Sequence, residues 1–471
     1  MTIRKSSLKL FSASVFTKGL AFVGLAFFAR ELGAEAIGVF FLFQALIELL
    51  SVPADFGFRD AVVKRLSEGG DSAGIISTSM LLKMVPLVVI STLVLAFGDG
   101  INSFLGAELA FHLIVALGLR EIALLCLHVL QGERQVGKTA FPIISRQVVY
   151  VGLGSAFLLF GSGVLGLIYA FMLGLVALFV FSARQVSTPI GRPTLSHARS
   201  LFDYSRYSVV SSITGYFYNW MDIIVIGWFL TQYFVGVYEV AWRVSGVVML
   251  FSSAIATSIF PEVSKWSAEN VTARIEALLP RVLIPSLFFT IPAFFGTLIL
   301  SKNILAVVFG SEYTAGWIVL SILMFEKVFQ SVHIILGNSL QGIDQPKLAA
   351  RAGLVALSSN GVLNLLLVPA YGIVGAAVAT AVSFLINTTL HGYYLSRFVD
   401  LRLPYARIFS MVAAAGGMAT CLWVIQSAYP VDGILQLILM ILLGVVIYHS
   451  LVFLDSNLRH TIVNNLRQVV A

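Results

Sequence analysis

The chain has 471 residues, of which 58% are hydrophobic and only 11% are charged. Soluble domains carry about 25% charged residues, so this composition excludes a single water-soluble core and indicates a protein that crosses the membrane many times. The net charge of +7 does not indicate a nucleic-acid partner, because the basic residues follow the alternation of membrane loops described below. Cys126 and Cys421 lie far apart in apolar segments and predict neither a disulfide framework nor a cysteine metal site.

Polar breaks divide the chain into apolar segments, each close to the roughly 20 residues that a helix needs to cross a bilayer. We therefore predict an all-α polytopic membrane protein with 14 transmembrane helices. The first segment follows Arg4, Lys5 and Lys9 but has no convincing cleavage site, so we expect a retained helix and not a signal peptide. In chain order the segments are residues 8–30, 36–57, 75–97, 104–130, 138–160, 164–184, 204–230, 234–258, 280–300, 316–340, 348–369, 373–395, 405–427 and 432–454.

The connections between these segments alternate between basic and charge-poor. Cytoplasmic loops carry an excess of Lys and Arg, so both termini are predicted to be cytoplasmic and the protein to lie in the cell inner (cytoplasmic) membrane. The basic set contains Arg59, Lys64, Arg65, Arg134, Lys138, Arg184, Arg192, Arg199, Arg206, Lys265, Arg274, Arg281, Lys347, Arg351, Arg397, Arg402 and Arg407, and the charge-poor set has little beyond Arg30 and Lys302.

Three short sequences recur in the same order at a nearly constant offset. They pair residues 36–40 (AIGVF) with 234–238 (FVGVY), 130–132 with 340–342 (both LQG), and 163–166 (GVLG) with 372–375 (GIVG). A duplicated unit with an even number of helices gives two copies that point the same way, which is a parallel repeat of six helices. We predict a first lobe at 1–184, a cytoplasmic linker at 185–203, a second lobe at 204–400, and two extra helices with a cytoplasmic tail at 401–471.

Ionisable groups lie inside several segments, although each charge at mid-membrane depth costs about 2.5–3.5 kcal/mol on insertion scales. A bundle interior or a wet cavity relieves that cost. At about 100° per residue, the polar side chains of the first, second, seventh and eighth segments each fall on one side of their helix. We therefore predict a central cavity whose substrate-binding residues are Lys18, Gln44, Glu48, Asn219, Asp222, Glu239 and Arg243.

Several motifs allow more than one interpretation. Glu239 and Arg243 are four residues apart, so they either neutralise each other as a structural pair or leave Arg243 facing a ligand with Glu239 as its resting partner. The neighbours Arg120–Glu121 and Glu326–Lys327 should point in different directions, which predicts partners on other helices. Residues 161–166 match GxGxxG, a motif of dinucleotide-binding sites, but no predicted strand precedes them. We therefore predict a tight turn and not a dinucleotide site. The histidines lack ligand spacing, and we predict no metal and no cofactor.

Four stretches resemble the polysaccharide exporter branch of the multidrug/oligosaccharidyl-lipid/polysaccharide superfamily. They are 29–40 (ARELGAEAIGVF), 221–227 (MDIIVIG) leading into 235–238 (VGVY), 340–347 (LQGIDQPK) and 364–377 (NLLLVPAYGIVGAA). The similarity spans nearly the whole chain. It implies a V-shaped pair of six-helix lobes with alternating access, and it implies export of a lipid-linked oligosaccharide, with membrane lipids and the glycan assembly machinery as partners.

In such flippases, cations in the cavity engage the diphosphate of a polyprenyl carrier. Lys18 and Arg243 fit that role here, and Lys83, Arg120 and Arg146 are weaker candidates. The resemblance also implies that the two extra helices form a groove for the lipid tail. Acidic residues in the cavity suggest possible coupling to H⁺ or Na⁺.

Two other functions fit the composition less well. A cation-coupled multidrug efflux pump of the same superfamily would suit the acidic residues, but such pumps usually have twelve helices. A membrane glycosyltransferase would usually need a sizeable loop with catalytic carboxylates, and the longest loops here have about twenty residues. We therefore expect a transporter and not an enzyme, acting in surface polysaccharide (O-antigen, capsule or exopolysaccharide) biosynthesis.

Overall fold

The computed structural model describes residues 3–454, apart from the side chains of 3–8, 207, 210–215 and 218. No strand occurs within that range, which confirms the all-α class. The helices are α1 (Ile3–Asp55), α2 (Phe58–Glu68), α3 (Ser72–Ala96), α4 (Gly98–Leu105), α5 (Ala110–Gly132), α6 (Ala140–Leu159), α7 (Gly163–Ala183), α8 (Leu195–Phe229), α9 (Gln232–Gly246), α10 (Met249–Ala268), α11 (Thr272–Ile304), α12 (Trp317–Gly342), α13 (Pro346–Leu395), α14 (Tyr405–Ala428) and α15 (Ile434–Leu454).

Among the described residues, ten helices are long and apolar enough to cross a membrane, or eleven if the bent pair α9 and α10 forms one span. The predicted count of fourteen is therefore not confirmed. Part of the difference lies in α1 and α13, which each join two predicted segments. Gly33 (φ 76°, ψ 173°) interrupts the helical backbone of α1, and Gly372 (φ 59°, ψ −143°) does so in α13. These positive φ angles favour glycine, because a Cβ would clash there.

Contacts divide the chain into two compact units, Met1–Gly236 and Val237–Ala471. The boundary falls inside α9, so α8 lies with the first unit, although the sequence repeat assigns it to the second copy. The domain limits inferred from the repeat remain a prediction.

In the first unit, the short helix α2 is amphipathic and buries one face. Phe58, Val62 and Leu66 pack against Val129 of α5 and Leu201 of α8. Helix α2 starts after two residues with positive φ, Phe56 and Gly57. A Cβ on Gly57 would lie 2.8 Å from the carbonyl oxygen of Ser205, so glycine allows α8 to pack closely on this turn.

The segment predicted as a linker, residues 185–203, is hydrogen-bonded to side chains of the first unit. The carboxylate of Glu133 accepts hydrogen bonds from the backbone N–H groups of Ser187 and Thr188 at 2.8–3.2 Å. Further along, the Gly191 N–H donates to the Ser77 hydroxyl of α3 at 2.8 Å. Backbone groups of a connecting loop are thus satisfied by side chains of the helices beneath it.

In the second unit, the extra helices α14 and α15 pack on α11. Met411, Ala415 and Met418 of α14 and Tyr448 of α15 lie in one buried cluster with Ile291 of α11. A buried apolar cluster therefore holds both extra helices on α11.

Candidate functional site

A buried group of six charged side chains lies in the first unit where α1, α2, α3 and α5 meet. We name it the charge cluster; its members are Glu48, Asp55, Arg59, Lys83, Arg120 and Glu121. Three cations face three carboxylates, so the cluster carries no net formal charge. All but Glu48 are buried, and Glu48 is half-buried. Buried charges persist only when they are paired and hydrogen-bonded in this way.

Ion pairs within the charge cluster connect all four helices. Lys83 Nζ lies 2.7 Å from Asp55 Oδ1 and 2.8 Å from Glu121 Oε2. Arg59 Nε lies 2.8 Å from Asp55 Oδ1, and Arg59 Nη2 lies 3.2 Å from Glu121 Oε1. Arg120 Nη2 lies 2.5 Å from Glu48 Oε2, and Arg120 Nη1 lies 3.3 Å from Glu121 Oε1. Each carboxylate thus neutralises a cation on another helix.

One hydroxyl joins two of these cations. The Ser51 hydroxyl accepts a hydrogen bond from Arg59 Nη2 at 2.9 Å and another from Arg120 Nη1. Arg59 lies in α2, outside the membrane-spanning helices. Burial lowers its pKa, but the carboxylates of Glu121 and Asp55 outweigh that effect, so the pKa of Arg59 is raised above its usual value. Arg59 is therefore a permanent cation that fixes the turn between α1 and α2.

A small polar cavity of about 70 Å³ adjoins the charge cluster. Its lining residues are Ser51, Val52, Asp55, Gly57, Arg59, Asp60, His128 and Tyr216. At its edge the Ser208 hydroxyl of α8 donates to Asp60. His128 Nδ1 donates to the Leu124 carbonyl at 2.7 Å, which leaves its other ring nitrogen as the acceptor. The cavity has room for water and presents both charge signs.

The structure places the predicted cavity residues of the first unit in different environments. Lys18 is exposed, and Gln44 lies half-buried one turn before Glu48. Asn219 is exposed on α8, whereas Asp222, one turn further on, is buried. Nothing in these positions tests whether substrate binds to them, so their role remains a prediction.

The three weaker candidates differ from one another in their partners. Lys83 and Arg120 belong to the charge cluster, where carboxylates already neutralise them. Arg146 is half-buried, and its guanidinium lies 5.7 Å from the ring centroid of Phe171, within the range of a cation–π contact.

The Glu239–Arg243 pair lies in the second unit and is very unevenly buried. Arg243 Nε lies 2.6 Å from Glu239 Oε1, and the Glu239 side chain is 3% exposed while that of Arg243 is 44% exposed. A buried carboxylate is therefore paired with a guanidinium that is partly exposed. This geometry is compatible with both interpretations of the pair.

Arg120 and Glu121 have partners on other helices, as expected for neighbouring opposite charges. Lys327 Nζ also lies near another helix, 4.0 Å from the ring centroid of Trp242 in α9. It lies in addition 2.7 Å from the carboxylate of its neighbour Glu326, a contact that the expectation did not include. The Cβ atoms of adjacent helical residues point in different directions. Long side chains such as Lys and Glu can still bend toward each other, so their charged ends can be in contact.

Three members of the charge cluster, Asp55, Arg59 and Glu121, are not among the predicted site residues. The place of Arg59 among the basic loop residues suggested a purely topological role. The available signal was its spacing of four residues from Asp55, which puts two opposite charges on one helical face. No group of three or more His, Cys, Asp or Glu side chains suited to a metal ion occurs within the described range.

Two family models match the chain. The model described as polysaccharide biosynthesis protein matches residues 3–267, and the model described as lipid II flippase MurJ matches residues 143–444.

A relative from Haloferax volcanii, named probable low-salt glycan biosynthesis flippase Agl15, is 46% identical over the full length of both chains. Among solved structures, lipid II flippase MurJ in an inward closed conformation superposes with a TM-score of 0.81 at 17% identity, covering 94% of this chain and 98% of that one. An inward-facing multidrug resistance MATE transporter of the MOP superfamily gives a TM-score of 0.63 at 16% identity, covering 81% and 95%. At these identities, the two structures establish the fold alone.

Proposed function

The chain belongs to the polysaccharide biosynthesis protein family of the multidrug/oligosaccharidyl-lipid/polysaccharide superfamily, and from that premise we propose that it flips a lipid-linked glycan across the membrane. Its relatives are transporters and not enzymes. The observation that carries the proposal is the 46% identity to a glycan biosynthesis flippase along the whole chain.

A flippase of this kind solves a solvation problem. Each sugar hydroxyl moved into hydrocarbon without a partner costs about 4–8 kcal/mol, and a phosphate costs far more. The lipid tail, in contrast, is stable in the bilayer. We propose that the glycan headgroup enters a cavity from the cytoplasmic leaflet while the tail stays in lipid, and that alternating access releases the headgroup outside.

Arg243 and Lys18 are the residues we assign to the diphosphate. Arg243 is partly exposed although it lies in an apolar helix, and its bond to buried Glu239 holds the guanidinium in one orientation. A guanidinium fork suits bidentate contact with phosphate oxygens. Gln44 and Asn219 supply amide groups for sugar hydroxyls.

Ion coupling is a further part of the proposal. Asp222, Glu239 and Glu48 are carboxylates in apolar helices, and binding of H⁺ or Na⁺ to one of them would change the charge that the headgroup meets. The exported glycan serves the biosynthesis of a surface polysaccharide, either O-antigen, capsule or exopolysaccharide, together with glycan assembly machinery at the cell inner (cytoplasmic) membrane. Both termini are then on the cytoplasmic side, as the loop charges predict.

The proposal is tested in a strain that lacks the gene and is complemented with variants expressed at the wild-type level. Arg243→Ala and Lys18→Ala should each lower the amount of surface glycan and leave lipid-linked glycan in the inner leaflet. Arg243→Lys should retain part of the export, because it keeps the charge but loses the fork.

Arg402→Ala is the matched control, since Arg402 lies between α13 and α14 and its side chain is 84% exposed. Full glycan export by both Lys18→Ala and Arg243→Ala would refute the phosphate assignment. A deletion strain with normal surface glycan but increased sensitivity to cationic drugs would instead support the efflux alternative.

A further inference from the structure

Two histidine side chains of the second unit meet between α12 and α13. The rings of His333 and His391 are T-shaped, with their centroids 4.5 Å apart and an interplanar angle of 83°. The His333 ring also lies 6.0 Å from that of Phe384, which precedes His391 on α13 by about two turns. His391 is buried and His333 is half-buried. Because the two histidines lie on different helices, their spacing in the sequence gave no sign of this contact.

A backbone hydrogen bond fixes the tautomer of His391. Its Nδ1 donates to the carbonyl of Asn387 at 2.8 Å, so in the neutral ring Nε2 carries the lone pair. Histidines that bind metal ions usually have one ring nitrogen held in this way by a carbonyl or a carboxylate, while the other nitrogen is the ligand. His391 therefore presents an oriented nitrogen ligand.

Two further polar atoms of these helices are buried and form no hydrogen bond with the described part of the chain. They are Nδ1 of His333 and the amide oxygen Oδ1 of Asn387. Asn387 is 4% exposed and lies on the same face of α13 as Phe384 and His391, between the two rings that His333 contacts. Buried polar atoms without partners are rare in folded proteins, so each needs an explanation. Both of these atoms can supply a lone pair to a cation.

Gly337 of α12 leaves room next to both rings. A Cβ on Gly337 would lie 3.5 Å from Nε2 of His391 and 3.8 Å from Cε1 of His333, so both rings border the same point. Two imidazoles that share one tetrahedral zinc ion at Zn–N distances of about 2.0–2.1 Å have their ring centroids about 5 Å apart. The observed separation of 4.5 Å is close to that value, so small movements of the two side chains would bring both rings to one ion.

The charges near the two rings do not oppose a cation. Lys327, a buried cation of α12, lies 5.8 Å from the ring centroid of Phe384, on which His333 also packs. Lys327 Nζ lies 2.7 Å from the carboxylate of Glu326, so this pair adds no net formal charge. The donor set also selects the kind of ion, because imidazole suits Zn²⁺, Cu²⁺ and Ni²⁺, whereas Mg²⁺ and Ca²⁺ take oxygen ligands.

We propose that the second unit binds one divalent transition-metal ion between α12 and α13. Its ligands are Nε2 of His391, Nδ1 of His333 and the amide oxygen of Asn387. The bound ion joins the two helices and stabilises the folded unit, because the unfolded chain does not hold these three ligands together. The site does not rest on the proposed function, since none of its ligands is assigned to the glycan.

Zinc titration of the purified protein tests the site. The tag-free protein in detergent, first treated with a chelator, is titrated with Zn²⁺ in a calorimeter, and we expect one ion per chain and a raised Tm. His333→Phe and His391→Phe keep an aromatic ring but remove a ligand, and each should weaken binding at least tenfold. His449→Phe is the matched control and should keep the parent affinity. His449 Nδ1 also donates to a carbonyl of its own helix, but its ring neighbours are Phe288 and Tyr448.

Two further measurements do not depend on how the phenylalanine variants fold. Gly337→Ala retains both histidines but places a methyl group 3.5 Å from His391 Nε2, so it should also weaken zinc binding at least tenfold. With Cu²⁺ in place of Zn²⁺, the electron paramagnetic resonance spectrum of the parent protein should show coupling to nitrogens of two imidazoles.

Three results would overturn the proposal: no zinc binding by the parent protein, copper coupling to fewer than two imidazoles, or the parent affinity in folded His333→Phe or His391→Phe. None of these measurements uses glycan export. A failure of the proposed function therefore leaves the metal site to be decided by the titration and the spectrum.

Discussion

The charge cluster of the first unit and a hydroxyl cluster of the second occupy similar places in the two sequence repeats. The hydroxyl cluster consists of Ser252, Ser286, Thr290 and Ser331, all buried. The Ser286 hydroxyl donates to that of Ser252 at 2.7 Å, and the Thr290 and Ser331 hydroxyls are 3.5 Å apart. Glu121 and Ser331 each precede the repeated Leu-Gln-Gly by the same number of residues.

The difference shows that corresponding helices of the two repeats are joined in two ways, by buried ion pairs in the first unit and by buried hydroxyl groups in the second. Loss of one partner from an ion pair in a low-dielectric interior leaves an uncompensated buried charge, which is very costly. Loss of one partner from a pair of hydroxyl groups removes only a weak hydrogen bond. We therefore expect substitutions to be far more damaging in the charge cluster than in the hydroxyl cluster. The following variants test that contrast.

Glu121→Gln should have the largest effect. The carboxylate contacts Arg59, Lys83 and Arg120, so its neutralisation leaves excess buried positive charge. Breaking one partner of a buried ion pair costs about 3–5 kcal/mol. Thermal unfolding of the purified protein in detergent should show a large drop in Tm, and an unchanged Tm would mean that the charge cluster does not contribute to stability.

Removing both partners of the Arg120–Glu48 pair should be less harmful than removing Arg120 alone. Arg120→Gln leaves Glu48 without this cation, whereas the double variant with Glu48→Gln leaves neither charge at that contact. Coupled neighbours typically show interaction energies of about 0.5–3 kcal/mol. Additive losses of Tm in the double-mutant cycle would contradict the pairing.

Ser286→Ala in the hydroxyl cluster should cost only about 0.5–1.5 kcal/mol, the net value of one hydrogen bond. The matched control is Thr389→Ala, because the Thr389 hydroxyl is exposed and donates to the Leu385 carbonyl of its own helix. A Tm loss at Ser286 as large as that at Glu121 would remove the contrast between the two clusters.

Glu68→Gln on the exposed end of α2 should have the smallest effect. Hydrogen bonds from Arg65 and Lys64 lower the pKa of Glu68. Any stabilisation of the folded protein by the Glu68 carboxylate is therefore fully present above the usual glutamate pKa. It is lost as the pH falls through the lowered pKa that Glu68 has in the folded protein. Exposed ion pairs contribute little, so the Tm measured at neutral pH should not change. A clear loss of stability would mean that exposed pairs on α2 matter as much as buried ones.

The amino-acid sequence by itself determined the class of the protein. Low charge, long apolar segments and three repeated motifs were enough to predict an all-α membrane protein with duplicated halves, because spanning a bilayer requires helices with satisfied backbones. The same patterns placed Glu48 and Asp222 among the polar residues of apolar helices. The breaks at Gly33 and Gly372 coincide with predicted boundaries between segments.

Only the tertiary structure decided which charges pair. Arg59, Lys83 and Arg120 come from three different helices, and their distances from Asp55 and Glu121 depend on how those helices cross. Helical periodicity gives the direction of a side chain around its own axis but says nothing about the neighbouring helix. The contact between the His333 and His391 rings likewise required the fold, since residues far apart in sequence meet there.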